Sequence, residues 1–166
     1  VPVDLARWQD LAAEVLHAEG VRGLAELALL FVSEAEIAEL NEDYMGKEGA
    51  TDVLSFPIDA AEAEIVIHNQ PPSRGPDRAP PDPGDMPLLL GDVVICPSIA
   101  AAQAPDHAGN LDDELALLVV HGVLHILGFD HGSPSALTRM RARALELLEA
   151  HHWPGPAPVG FRQAQA

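Results

Sequence analysis

The sequence predicts a single soluble domain in which α-helices and β-strands alternate along the chain. The chain has 166 residues and a mass of 17.6 kDa, which is the size of one domain. Hydrophobic residues make up 48% of the sequence, enough to form one sizeable core. No apolar run reaches the roughly 18 residues that a membrane span needs, and no charged-then-apolar leader opens the sequence. We therefore expect a globular protein without membrane association.

Cysteine content and net charge indicate the compartment and limit the partners. The single cysteine, Cys96, excludes an internal disulfide and is typical of a reducing compartment, which predicts a cytoplasmic location. Nine Lys and Arg residues against 26 Asp and Glu residues give a formal charge of −17, and Lys47 is the only lysine. Because this charge repels phosphate backbones, it argues against a general nucleic-acid binder. Any function on RNA would need a local basic patch, a metal or a partner that presents the substrate.

The N-terminal segment predicts a helix followed by a strand. Asp4 is a suitable N-cap, five apolar residues then recur at helical spacing, and Gly20 supplies a C-terminal stop. These apolar residues are Leu5, Trp8, Leu11, Val15 and Leu16. The run Ala25–Val32 is almost wholly apolar, which predicts a buried strand.

Capping and turn residues mark the next elements. Ser33 and Glu36 form a capping box, S-x-x-E, which predicts a helix through about Leu40. The segment Asp52–Pro57 predicts a short strand that ends at proline. Residues 69–87 contain seven prolines, which predicts a disordered surface loop between two core strands.

One more strand and three helices follow in the C-terminal half. The run Leu88–Cys96 is the clearest strand, and Pro97 opens a short helix that we expect to reach Ala104. Asn110 can cap a long helix whose residues from Leu115 to Leu127 are almost wholly apolar, so that this helix is buried on most of its circumference. Ser133 caps the last helix, with proline next to it.

The long apolar helix carries two histidines. His121 and His125 are four residues apart, so their side chains project from one face of the helix. Gly128 can adopt a positive φ and turn the chain back, which would bring His131 to the pair. Three neutral imidazoles can hold Zn²⁺ at about 2.0–2.1 Å and leave a fourth position for water or substrate. The spacing therefore predicts one zinc ion per chain, the alternative being three ordinary core or surface histidines.

The predicted zinc ion has two other possible roles, one structural and one in a protease. Structural zinc sites close with a fourth protein ligand, often cysteine, and the sequence leaves the approach of Cys96 open. The histidine spacing also matches the metalloprotease pattern H-E-x-x-H-x-x-G-x-x-H except at one position. Gly122 stands where that pattern has the glutamate that activates water. A protease would therefore lack its general base, whereas the three metal ligands would remain.

Three segments of the chain resemble the YbeY endoribonucleases, a family of rRNA maturation factors. They are TDVLSFP at Thr51–Pro57, LLGDVVIC at Leu89–Cys96 and HGVLHILGFDH at His121–His131. The resemblance covers residues 1–153 and leaves residues 154–166 as a predicted disordered tail. It implies an α+β, zincin-like single domain in which a central buried helix carries zinc histidines beside a mixed β-sheet. The implied ligands of the zinc ion are His121, His125 and His131.

The resemblance also implies an activity and partners. The implied function is zinc-dependent endonucleolytic cleavage of single-stranded RNA, in 16S rRNA 3′-end maturation and ribosome quality control. The implied partners are rRNA, the small ribosomal subunit and its assembly proteins. Two alternatives stay open: a ribosome-assembly factor with mainly structural zinc and weak catalysis, and another zinc hydrolase.

The chain departs from the family pattern in two places. Family members usually begin with a strand before the first helix, and this strand is missing here, which predicts an exposed sheet edge or cleft. Many members have an arginine implicated in RNA cleavage, in a string like YRGK, where this chain has Met45. The methionine predicts weak catalysis, with Lys47 as a substitute point charge and a candidate catalytic residue.

Three other polar residues are candidates for the site. Asp92, which follows a glycine inside an apolar strand, is a candidate catalytic residue that would either orient a ligand histidine or stabilise a turn. Arg139 and Arg143 share a face of the last helix and are candidate RNA contacts. Their alternative role is a solvated helix face that balances nearby acidic residues.

Overall fold

The structure, a computed structural model, describes residues 3–21, 25–57, 88–129, 132–161 and 163. These residues form an α+β domain with five α-helices and three strands. The helices are α1 (Leu5–Ala18), α2 (Glu34–Met45), α3 (Pro97–Gln103), α4 (Leu111–Ile126) and α5 (Pro134–His151). The strands are β1 (Ala25–Phe31), β2 (Val53–Pro57) and β3 (Leu88–Ile95). The proline-rich segment predicted to be a loop, residues 69–87, lies outside the described residues.

The three strands form one mixed sheet, as predicted. Its order is β1-β3-β2, with β1 parallel to β3 and β2 antiparallel to it. Ile95 near the end of β3 pairs with Phe31 on one side and with Val53 on the other. The middle strand therefore carries the residues of LLGDVVIC, and an edge strand of the described sheet carries TDVLSFP.

Alternation along β3 divides the core into two clusters. Val93 and Ile95 face the main cluster, which α1, α4 and α5 complete. Val94 and Cys96 face the opposite side, where they pack against Ile37 of α2. Twelve of the sixteen residues of α4 are buried. The long apolar helix is thus central to the domain, as its sequence predicted.

The strand β1 is half-buried rather than buried throughout. Leu27, Leu29 and Phe31 pack against the main cluster, while the alternate residues are exposed, Leu30 to 46%. The apolar run suggested burial on both faces, but the described helices cover β1 on the α4 side of the sheet only. Successive side chains of a strand point to opposite faces, so Leu30 is exposed while its half-buried neighbours Leu29 and Phe31 face the core.

The helix α2 is longer than predicted, ending at Met45 instead of about Leu40. Two interactions stabilise its C-terminal end. The side chain of Asn41 is buried and donates a hydrogen bond to the carbonyl of Gly49 at 3.0 Å. Gly46 has φ of 67° and its N–H donates to the carbonyls of the last turn, so that the helix ends there. The predicted capping box of Ser33 and Glu36 is present in both directions.

Residues beyond Trp153 lie against α5 and form no helix or strand as far as they are described. The rings of Trp153 and Phe161 lie edge to face with centroids 4.8 Å apart. The N–H of Ala157 donates to the carboxylate of Glu149 at 3.0 Å. These contacts place residues 154–161 beside α5, and the disorder expected for residues 154–166 stays a prediction. No helix within the described residues is long and apolar enough to span a bilayer.

A buried carboxylate at the start of α4 anchors this C-terminal segment. Asp113 is 7% exposed and accepts hydrogen bonds from His152 Nε2 at 2.8 Å and from Trp153 Nε1 at 2.9 Å. Asn110 donates to its other oxygen at 3.0 Å. Burial raises the pKa of Asp113, but the hydrogen bonds from His152, Trp153 and Asn110 outweigh it and hold that pKa below its usual range.

Asp113→Asn should lower stability at neutral pH and flatten its acid dependence. A carboxylate whose folded-state pKa is depressed stabilises the fold above its unfolded pKa of about 3.9, and this contribution is lost as pH falls through the folded pKa. We expect a loss of about 2 kcal/mol at pH 7, since charge-assisted hydrogen bonds are replaced. Urea unfolding of both proteins between pH 7 and pH 3 measures this. A constant difference between them across this range would contradict the assignment.

Candidate metal centre

His121 and His125 lie side by side on α4, one turn apart. Both are only partly buried, while the residues around them on the helix are almost all inaccessible. Their ring centroids are 5.0 Å apart and the ring planes are inclined by 65°. Two imidazoles that share a tetrahedral zinc at about 2.0–2.1 Å have their ring centres about 5 Å apart. The ring separation is therefore compatible with a shared metal ion.

The chain turns directly after this pair. Gly128 has φ of 103°, the left-handed conformation that the sequence predicted for it. The N–H of Phe129 then donates to the carbonyl of Leu124 at 3.0 Å, which fixes the reversal against the last turn of α4. His131 lies outside the described residues, and within the described part of the chain no group of three metal-binding side chains occurs. The third ligand stays a prediction.

Gly122 lies where α4 packs closely on the sheet. A Cβ atom on this residue would lie 2.5 Å from Cγ1 of Val93, which is fully buried. Ser55 of β2 donates to the carbonyl of Gly122 at 3.4 Å. A glutamate, which metalloproteases have at this position, would not fit here. The glycine holds the histidine helix against the two strands that carry the other sequence blocks.

Cys96 and Asp92 lie on the face of the sheet away from α4. Cys96 is fully buried among Ile37, Leu54 and Val94, and its Sγ is 3.4 Å from a serine hydroxyl. Asp92 is exposed, and because its neighbour Val93 faces α4, Asp92 projects to the other side. The sheet separates both side chains from the histidine pair in this structure.

Met45 and Lys47 flank the end of α2. Met45 is the last residue of the helix and is 41% exposed. Lys47 is exposed and follows the left-handed Gly46, so the rule that places residues i and i+2 on one face of a strand does not apply to Met45 and Lys47. The neighbouring Tyr44 packs edge to face on Phe56 of β2 with centroids 5.5 Å apart.

The two candidate arginines of α5 have different surroundings. Arg143 donates to the carboxylate of Glu19 and, at 3.2 Å, to Glu146. Hydrogen bonding to Glu19 raises the pKa of Arg143 above its usual range despite partial burial, and the carboxylates compensate its charge. Arg139 is exposed and lines a depression at the end of α4. Of these two arginines, Arg139 is the one that lies beside the turn after α4.

A buried polar network, which sequence reasoning missed, joins the start of α4 to β2 and α3. Glu114 is fully buried, and Gln103 donates to it and to Asp52 at 2.7 Å each. His107 and the N–H of Ala108 complete the shell of Glu114, at 3.2 Å and 3.3 Å. The helix dipole favours an acidic residue near a helix N-terminus, whether that residue is buried or solvated. No local pattern distinguishes a buried glutamate there from a solvated one.

The fold and the site together define a class: an α+β domain with a candidate histidine metal site on its central helix. The chain belongs to the endoribonuclease YbeY family, since the family model described as "Endoribonuclease YbeY" matches residues 1–152. A relative with that name from Acidothermus cellulolyticus is 44% identical over 153 residues, covering 90% of this chain and 85% of the relative. Another, from Thermobifida fusca, is 41% identical over 150 residues, covering 89% and 86%.

A solved structure shares the fold. The solution structure of TM1509 from Thermotoga maritima matches with a TM-score of 0.54, covering 98% of this chain and 96% of that one. Its sequence is 22% identical, so the likeness concerns the fold alone. It agrees with the mixed α+β domain described above.

Proposed function

We propose that this protein is a zinc-dependent endoribonuclease that cleaves single-stranded RNA in 16S rRNA 3′-end maturation and ribosome quality control. The observation that carries the proposal is the histidine pair of α4, whose rings lie 5.0 Å apart, in a chain 44% identical to a protein named endoribonuclease YbeY. His131 is the proposed third ligand of one zinc ion per chain. The zincin-like arrangement and the small ribosomal subunit as partner belong to the same proposal.

The chain's own residues would position the ion, and the buried residues of α4 would exclude water from the side of the ion that faces the core. His121 and His125 project from a helix whose neighbouring positions are buried, so their rings have one accessible direction. Gly122 holds that helix on the sheet, which maintains the position of both rings. Bound zinc would polarise a phosphoryl oxygen and lower the pKa of its water ligand toward about 7.

The second candidate function is a ribosome-assembly factor in which zinc is mainly structural. One observation favours it: an exposed methionine, Met45, occupies the place where many family members have an arginine implicated in cleavage. The charge of −17 also opposes unaided binding to RNA. A protein of this kind would be recruited by basic proteins of the particle rather than by RNA itself.

Incubation of the zinc-loaded protein with end-labelled single-stranded RNA separates the two functions. Endoribonuclease activity predicts discrete internal cleavage that a chelator stops and added zinc restores. The same strand annealed to its complement serves as a control and should remain intact. Intact single-stranded RNA after prolonged incubation with zinc-loaded protein would favour the assembly factor.

Met45→Arg should raise RNA cleavage without changing the zinc content. A guanidinium that stabilises charge on the phosphate in the transition state is worth up to about 3 kcal/mol, roughly a hundredfold in rate. Methionine offers no such charge, and Lys47 offers a point charge without the bidentate fork. Single-turnover cleavage rates of the native chain, Met45→Arg and Lys47→Ala measure the effect. Equal rates in all three would show that neither position contributes to cleavage.

A further inference from the structure

A depression lies beside the turn that follows the histidine helix. It is lined by residues that follow α4 and by residues of the first two turns of α5: Leu127, Gly128, Phe129, Ala136 and Arg139. Phe129 is half-buried, and Arg139 is exposed. Phe129 follows His125 by four residues, and its N–H is bonded to Leu124 in the last turn of α4. Three of the lining residues therefore follow His125 by two to four positions, at the end of the helix that carries the candidate metal centre.

Among the described residues, Arg139 makes no ion pair, unlike Arg7 and Arg143. Arg7 pairs with Asp112 at 3.3 Å, and Arg143 pairs with Glu19 and Glu146. Of the Lys and Arg side chains that the structure describes, Lys47 and Arg139 are the two exposed ones that make no ion pair with any described residue. In a chain with a charge of −17, an exposed arginine that pairs with none of the described carboxylates can bind an anion from outside.

The depression combines the two chemistries that bind single-stranded nucleic acid. An arginine pairs with backbone phosphate, and an aromatic ring offers a face on which any base can stack. We infer that this depression is a substrate subsite that takes one nucleotide of single-stranded RNA beside the metal centre. Arg139 pairs with the phosphate of that nucleotide, and Phe129 contacts its base. This inference rests on the proposed function for the identity of the substrate.

If the depression is such a subsite, loss of Arg139 and loss of Phe129 should change RNA binding in different ways. Arg139→Gln should raise the Kd for single-stranded RNA about fivefold at low salt and reduce the slope of log Kd against log salt by about 0.7, the loss of one phosphate contact. Phe129→Leu keeps an apolar side chain against the core but removes the ring, and should raise Kd about fivefold with the slope unchanged.

The matched control is Arg7→Gln, which removes the same charge at the far end of α4. Arg7 contacts Asp112, which lies fifteen residues before Leu127 and so about 22 Å along the helix from the depression. This variant should leave both Kd and its salt slope as in the native chain. Fluorescence anisotropy of a labelled single-stranded RNA, checked on a gel for integrity after each titration, supplies the measurement.

The outcomes distinguish the subsite from the activity. An unchanged Kd and salt slope in both Arg139→Gln and Phe129→Leu would overturn the subsite even if the native protein cleaves RNA. An equal loss in Arg7→Gln and Arg139→Gln would also overturn it, because net charge alone would then account for the effect. The predicted pattern in a protein that does not cleave RNA would support the subsite and contradict the nuclease.

Discussion

Replacing His125 with alanine should abolish stoichiometric zinc binding and lower the stability of the protein. His125 and His121 are the described pair with the ring separation that a shared zinc requires, so either loss leaves at most two of three proposed ligands. A metal that binds only the folded state adds to its stability, by about 2.7 kcal/mol when free zinc is a hundredfold above its Kd. The variant should lose this zinc-dependent increment.

Elemental analysis and thermal unfolding with and without added zinc measure this result. The control is His151→Ala, which removes a histidine at the end of α5 that lies 3.4 Å from Glu14, away from the α4 pair. It should keep both the zinc and the zinc-dependent rise in Tm. Native protein that holds less than half an equivalent of zinc and takes up none on addition would contradict the metal centre altogether.

Introducing the metalloprotease glutamate, by Gly122→Glu, should unfold the protein rather than create a protease. The new Cβ would lie 2.5 Å from Val93 Cγ1, and the carboxylate would enter a fully buried interface between α4 and the sheet. Overpacking and burial of an unpaired charge together should cost about 4 kcal/mol or more, a large part of a typical domain's stability. Urea unfolding followed by circular dichroism measures the loss.

A double-mutant cycle shows whether the close contact is the cause. Gly122→Ala adds only the Cβ, and Val93→Ala removes the methyl group that it would meet. If the contact is responsible, the two changes combined should destabilise less than the sum of the single changes, by about 1 kcal/mol or more. Additive effects would show that the space at Gly122 does not depend on Val93.

Local interactions could be predicted from the sequence because they join residues three or four apart. Each of the four predicted N-caps accepts a hydrogen bond from the N–H three residues on. These caps are Asp4, Ser33, Asn110 and Ser133. The same periodicity placed His121 and His125 on one face of a buried helix, and the rings do lie side by side. The central helix followed from its apolar pattern, whereas the α+β class was implied by the resemblance to the YbeY family.

By itself, then, the sequence determined the local elements, their caps and the pairing of two histidines, since these depend on neighbours within one helical turn. Only the tertiary structure decided the roles of side chains whose partners are distant in the chain. Arg143 is compensated by Glu19, which is 124 residues away, whereas Arg139 on the same helix is left exposed. Asp113 became a buried anchor through residues 39 and 40 positions on. Such partners are chosen by packing between elements, which no local pattern records.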